Sequence, residues 1–269
     1  MNQIEAMRHR RSVRTFDGAP LKKELTDQLL DFAQKLENPY EIPITWYLLD
    51  PEKHGLRSPV ITGEHAYLTG KLPKIPHAEE AFGYSFELLL LYAETLGLGS
   101  TWIAGTMNRG AFEQAVRLQA GEAMPCVSPI GRPAEKMSLR ESLMRKGVKA
   151  DSRLDFSELF FEGGFNRPLS PEKAGKLREP LELVRLAPSA VNKQPWRVVV
   201  SGERVHFYEK RSKGYVAEDG WDLQKVDLGI ALAHFALAAQ EQGLRCAFFL
   251  EDPQLNNPEG LIYIASFVM

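Results

Sequence analysis

Residues 83–98 read GYSFELLLLYAETLGL and residues 229–244 read GIALAHFALAAQEQGL. The two stretches align without a gap. Gly83 falls on Gly229, Ala93 on Ala239, and Gly97-Leu98 on Gly243-Leu244. Both carry a helical period yet are apolar on nearly every face, the pattern of a helix enclosed by its own fold. Each ends on a glycine, where a helix C-terminus calls for a left-handed residue.

The similarity extends outward from these helices. Short apolar runs follow each, Thr101–Ile103 in one case and Cys246–Leu250 in the other, and are expected as buried strands. Earlier strands are expected at Thr45–Leu49 and Pro195–Val200, with Trp46 and Trp196 at matching places. Helix patterns open at Pro20-Leu21 and Pro168-Leu169, and late strands are expected at Pro125–Gly131 and Gly260–Phe267. Each half therefore reads helix, strand, central helix, strand, strand: an α+β arrangement with mixed sheets. The expected halves are residues 1–150 and 151–269. An all-round apolar helix in each half needs a partner, so the halves are expected to intertwine as a single-chain pseudo-dimer with the two helices packed together.

Composition is ordinary for a globular chain of 269 residues, with 44% hydrophobic and 25% charged residues, which argues against a disordered tail or a fibrous protein. A formal net charge of -2 suggests neither a nucleic-acid nor an anionic-membrane partner. Cys126 and Cys246 and the six histidines form no metal-ligand spacing, and the N-terminal residues show no secretory pattern, so a cytoplasmic protein without a metal is expected.

Three segments could carry chemistry. Arg8-His9-Arg10-Arg11-Ser12-Val13-Arg14-Thr15-Phe16 concentrates arginines whose forked donors match a phosphate, although a solvated basic patch would look the same. Leu186-Ala187-Pro188-Ser189-Ala190-Val191-Asn192-Lys193-Gln194-Pro195-Trp196 reads as a loop whose small residues would admit a flat ring, or as a plain helix-to-strand connection. Gly97-Leu98-Gly99-Ser100-Thr101-Trp102-Ile103-Ala104-Gly105 superficially suggests a dinucleotide fingerprint. It fails that reading, because its glycines follow a helix and precede a strand, and Trp102 stands where the third glycine belongs. It reads instead as a helix cap leading to a side-chain-poor strand end at Ala104-Gly105, whose amides could meet a ligand. No nucleophile elbow, phosphate loop or isolated acid/base pair is present, and His234 reads as a packing histidine.

Together with Pro129-Ile130-Gly131-Arg132-Pro133-Ala134-Glu135-Lys136, these segments resemble the nitroreductase family of FMN-dependent oxidoreductases, and in particular a branch with two family-like halves in one chain. The resemblance implies that Arg10, Arg11, Ser12 and Arg14 hold the FMN phosphate, with Lys136 and Arg140 adding positive charge. It implies that Trp102, Ile103, Ala104 and Gly105 run along the flavin, the Ala104 amide facing N5, and that Pro188, Ser189, Ala190 and Asn192 line it from the other half. It further implies hydride transfer from NAD(P)H to a small nitroaromatic or quinone-like acceptor, with the redox chemistry carried by the cofactor.

The departures from the pattern are as informative as the matches. Half one has Lys35–Ile44 where half two has the small-residue loop, and half two has Phe156–Phe161, with Glu158 and no arginine, where half one has the basic segment. One FMN per chain is therefore expected. A monomer is expected too, since the fusion supplies the dimer's interface. The alternative is a flavin-binding sensor or carrier without turnover. Specificity loops over the ring are expected at Asp50–Ile75 and Lys210–Asp222, where Tyr67, Tyr215 and Trp221 either cover the flavin or pack on the surface.

Overall fold

The structure is a computed structural model that describes residues 1–217, 220–256 and 258–269. The chain divides into two compact units, Met1–Ala150 and Asp151–Met269, each described by itself.

In the first unit, α1 (Gln3–His9) is started by a capping box in which Asn2 and Glu5 each satisfy the other's backbone N–H. Then come α2 (Lys23–Gln34), β1 (Thr45–Leu49), α3 (Pro51–His54), β2 (Tyr67–Pro73) and the central α4 (Ala78–Thr95). The chain continues through β3 (Gly99–Ser100), α5 (Arg109–Ala115), β4 (Glu122–Ala123), β5 (Val127–Gly131) and α6 (Leu139–Gly147). The sheet runs β1-β2-β5-β3 with β4 on β2, and its paired strands are antiparallel. Helix α4 packs on β2, β3, α1 and α2, with Phe82, Phe86, Leu89 and Leu91 fully buried.

The second unit holds α7 (Phe156–Leu159), β6 (Phe160–Glu162), α8 (Arg178–Leu186), β7 (Trp196–Ser201), β8 (Arg204–Lys210), the central α9 (Leu223–Glu241), β9 (Ala247–Phe249) and β10 (Leu261–Val268). Its sheet, β6-β7-β8-β10-β9, is mixed: β6 lies parallel to β7 and the other pairs are antiparallel. Helix α9 packs on α8, β7 and β8. His234, fully buried, meets the Leu183 carbonyl through Nδ1 at 2.8 Å.

The two central helices close in the same way. The Leu98 N–H bonds the Ala93 carbonyl at 3.0 Å, and the Leu244 N–H bonds the Ala239 carbonyl at 2.9 Å. Between the partners of each bond sits a left-handed glycine, Gly97 at φ 76° and Gly243 at φ 67°.

Several expected boundaries move. The strand expected at Thr101–Ile103 lies earlier, at Gly99–Ser100, because ladder partners exist only there. Beyond it the Thr101 N–H turns to Ser128 Oγ, and Ile103 makes only an isolated bridge with Val127. The loop expected at Asp50–Ile75 contains α3 and β2, a strand buried between β1 and β5 whose Gly70, Lys71 and Pro73 obscure its apolar pattern. The helix expected from Pro168-Leu169 starts only at a 3-10 turn, Gly175–Leu177, because Pro168 bridges Phe161 and the Leu169 N–H bonds the Phe160 carbonyl. Strand β8 goes unexpected in the sequence, although it pairs with both β7 and β10. Within Lys210–Asp222, Lys210 ends β8, residues 218 and 219 lie outside the described residues, and the other described residues are irregular apart from a Val216–Asp222 bridge. Among the described residues no helix is long and apolar enough to cross a membrane.

Candidate functional site

The arginine segment begins as α1 ends. From Arg10 the backbone becomes extended, and the Val13 N–H bonds the Ser100 carbonyl at 2.9 Å while Ser12 bridges Ser100 in parallel. The segment thus lies along β3 and next to the strand end that follows it. The approach is close: a Cβ on Gly99 would stand 2.7 Å from Val13 Cγ2. On the segment's other side, the Asp17 N–H bonds the Arg132 carbonyl and the Ala134 N–H bonds the Thr15 carbonyl, both at 3.0 Å. The unit therefore brings Arg10, Arg11, Ser12 and Arg14 together with residues 102–105 and the approach to α6.

Two buried carboxylates organise the arginines. Glu141 of α6, 1% exposed, accepts from Arg11 Nη1 at 3.1 Å, from the Arg14 N–H at 3.2 Å and from Thr15 Oγ1 at 2.8 Å. Glu87 of α4, fully buried, accepts from Trp102 Nε1 at 2.9 Å and stands 3.9 Å from Arg10 Nε. The Trp102 ring meets Phe86 edge-on at 4.9 Å, so its side chain serves the core and leaves only its backbone toward the strand end. In the sequence Glu87 is a charge that interrupts the apolar run of residues 86–98. That interruption was the signal, since a carboxylate is carried into a helix interior only with partners.

The carboxylates do not satisfy every cationic donor. Arg10 Nη2 is buried and has no hydrogen-bond partner among the described residues. Arg14 makes no side-chain hydrogen bond among the described residues; burial pulls its pKa below the ordinary guanidinium value, Glu141 opposes that shift and Arg145 reinforces it. Lys136 is exposed and makes no ion pair among the described residues, and Arg140 donates to the Pro59 carbonyl. An orphaned buried guanidinium donor, in the same extended segment as a second arginine whose side chain makes no hydrogen bond among the described residues, fits a dianionic phosphate, which accepts several charge-assisted bonds at once.

At the strand end, the Ala104 and Gly105 N–H groups make no hydrogen bond among the described residues. Arg109, missed in the sequence, clamps this end: Nη2 bonds the Ala104 carbonyl at 2.8 Å and Nη1 bonds the Met124 carbonyl at 2.8 Å. The carbonyls are tied back and the amides stay available. Tyr67 neither covers a ring nor lies at the surface. It is fully buried, with its hydroxyl on Glu64 at 2.8 Å and its ring edge-on to Phe112.

In the second unit, the Pro188–Asn192 loop is held in an uncommon conformation. Val191, Asn192 and Gln194 have φ of 43°, 59° and 49°. Such positions cost about 1–3 kcal/mol each and persist only when over-determined. Here the Gln194 N–H bonds Ser189 Oγ at 2.9 Å, Gln194 Oε1 takes the Leu154 N–H at 2.9 Å, and Asn192 Nδ2 bonds the Ser152 carbonyl at 3.1 Å. The Ala190 N–H is taken by Asp227. Ser189, expected to face a ligand, accepts inside the loop, and the Asn192 side chain is engaged with Ser152. Glu158, in the segment of this half that has no arginine, takes the Asp155 N–H at 3.0 Å in a capping box. A cavity of about 460 Å³ in the first unit, lined by Leu36, Asn38, Ile42, Trp46 and Ser85, contains none of the expected site residues.

A family model described as "Putative TM nitroreductase" matches residues 2–239. Among solved structures, a putative nitroreductase from Thermotoga maritima superposes over 100% of this chain and 94% of its own, at 19% identity and a TM-score of 0.66. A structure described as the oxidoreductase containing FMN covers 61% of this chain and 92% of its own, at 18% identity and a TM-score of 0.51. No curated protein matched the sequence.

Proposed function

Because the chain belongs to this nitroreductase family, we propose that it is an FMN-dependent oxidoreductase that takes reducing equivalents from NAD(P)H and passes them to a small nitroaromatic or quinone-like acceptor, with one FMN per chain. The observation that carries the proposal is the buried, unpartnered Arg10 Nη2 in a segment laid along β3, a few residues from the unbonded Ala104 and Gly105 amides. The FMN named in the description of one structural relative agrees with it.

When bound, FMN supplies the two-electron chemistry. In this reading Arg10, Arg11, Ser12 and Arg14 hold the phosphate, and Lys136 and Arg140 add charge at its rim. The Trp102–Gly105 backbone would hold the ring, and the Ala104 N–H would be available as a preorganised donor to it. Pro188, Ser189, Ala190 and Asn192 are proposed as further flavin-binding residues. Asn192 contributes its backbone and shape, since its amide is engaged with Ser152.

The test is flavin retention in R10A/R14A. The wild-type chain, purified with excess FMN, is expected to hold close to one flavin per chain and to bleach under anaerobic NAD(P)H; the double variant is expected to purify colourless. A double variant with full flavin occupancy would falsify the phosphate assignment. A flavin ratio near two would remove the single-site reading, and a wild-type colour that persists under NAD(P)H would favour binding without turnover.

A further inference from the structure

Helix α9 is apolar on nearly every face, yet Asp227 sits inside it at 4% exposure. Both its oxygens accept from one donor, the Ala190 N–H, at 3.0 and 3.1 Å. A carboxylate is costly to bury and is retained where it has a partner to satisfy. The matching position of the first central helix is Ala81, so the half without the small-residue loop also lacks the acid.

Ala190 is the pivot of the loop. Before it, Ser189 is fully extended at φ -149° and ψ 160°; after it, Val191 and Asn192 both turn to positive φ, in a loop whose Gln194 does the same. Val191 is β-branched and half-exposed, so neither its own preference nor packing explains its backbone. Other ties join the loop to itself, to residues 152–154 and, through the Gln194 carbonyl, to Arg197 of β7; the bond from Ala190 to Asp227 joins the pivot itself to the central helix.

We infer that Asp227 is a positioning residue for cofactor binding: by fixing the Ala190 N–H to α9, it holds Pro188–Asn192 in the shape that receives an isoalloxazine ring. The assignment rests on the FMN reading above. Asp227 itself does not touch the ring; it acts through Ala190. The acid is flanked by Glu209, which leads into Arg211, by Asp222 at the start of α9, and by Tyr215.

The experiment compares wild type, D227A and D227N by FMN titration, at a temperature where near-ultraviolet circular dichroism shows each to be folded. The Ala190 amide proton shift is also recorded in the FMN-free proteins. D227N keeps a carbonyl acceptor for the Ala190 N–H. D227A is expected to lose FMN affinity by about tenfold or more, as loss of a buried hydrogen bond to a charged group implies, with D227N within about threefold of wild type. The Ala190 amide proton is expected to move upfield in D227A and to stay near its wild-type position in D227N. Folded D227A with wild-type affinity and an unmoved Ala190 shift overturns the inference. If D227A does not fold, A190P removes the donor from the loop side, where the extended Ser189 tolerates a following proline. Wild-type affinity in A190P then overturns the inference equally. A wild-type chain that binds no FMN sinks the cofactor reading instead, a result separate from wild type and D227A binding alike.

Discussion

The chemistry at the residue scale is one of held donors. Glu87 and Glu141 orient the arginine segment without exhausting it, and Arg109 pins the carbonyl side of the strand end. Trp102→Phe keeps the ring's packing on Phe86 but leaves Glu87 short of a donor. It is expected to cost about 1–3 kcal/mol in urea unfolding, more than the lost ring area would account for. Gly99→Ala would drive a methyl to 2.7 Å from Val13 Cγ2. Overpacking of that kind costs about 1–3 kcal/mol and should also weaken FMN binding, because the side chain that must move belongs to the arginine segment. Wild-type stability and affinity in this variant would show that the segment is not seated on β3.

At the element scale the two central helices supply a matched pair of tests. Gly97 and Gly243 each adopt positive φ, and at neither would an added Cβ meet an atom within 4 Å. The penalty for alanine is then purely conformational, about 1–2 kcal/mol, and should be nearly equal at the two positions in denaturant melts. A large inequality would mean that the caps are not equivalent. The two central helices, their ends and strands β1, β5, β7, β9 and β10 were legible in the sequence, because periodicity and a terminal glycine are local signals. Strands β2, β4, β6 and β8 and the true position of β3 were not, because a strand is defined by its partner: Gly131 and Ile130 of β5, later in the chain, are what pair Gly99 and Ser100.

At the scale of the whole molecule, the buried acids of the second unit should govern how stability depends on pH. The Glu209 carboxyl, fully buried at the end of the β8 ladder, is pushed up to about 7, first by burial and then by Asp222, while Arg211 at 3.5 Å opposes the shift. Asp227 is also raised by burial, with its bond to the Ala190 N–H acting in the other direction. A carboxyl whose folded pKa exceeds its unfolded value binds its proton more tightly in the folded state. Its stabilisation is therefore full at acid pH and is lost as pH rises from the ordinary carboxylate range through about 7. Chemical-denaturation stability is expected to fall across that window and Glu209→Gln to flatten the fall; an unchanged slope in E209Q would assign the dependence to other groups.

By itself the sequence determined the fold class, the two apolar helices with their glycine caps, and the segments in which arginines, bare amides and a small-residue loop occur, because each of these is written in neighbouring residues. The tertiary structure decided which polar groups are spent and which remain to be used. Arg10 keeps a free buried donor while Asn192 does not, the Ala104 amide is open because Arg109 holds its carbonyl, and Asp227 becomes the anchor of a distant loop. A hydrogen bond is a property of two groups brought together. The second group in each case lies on another part of the chain, and no local pattern specifies it.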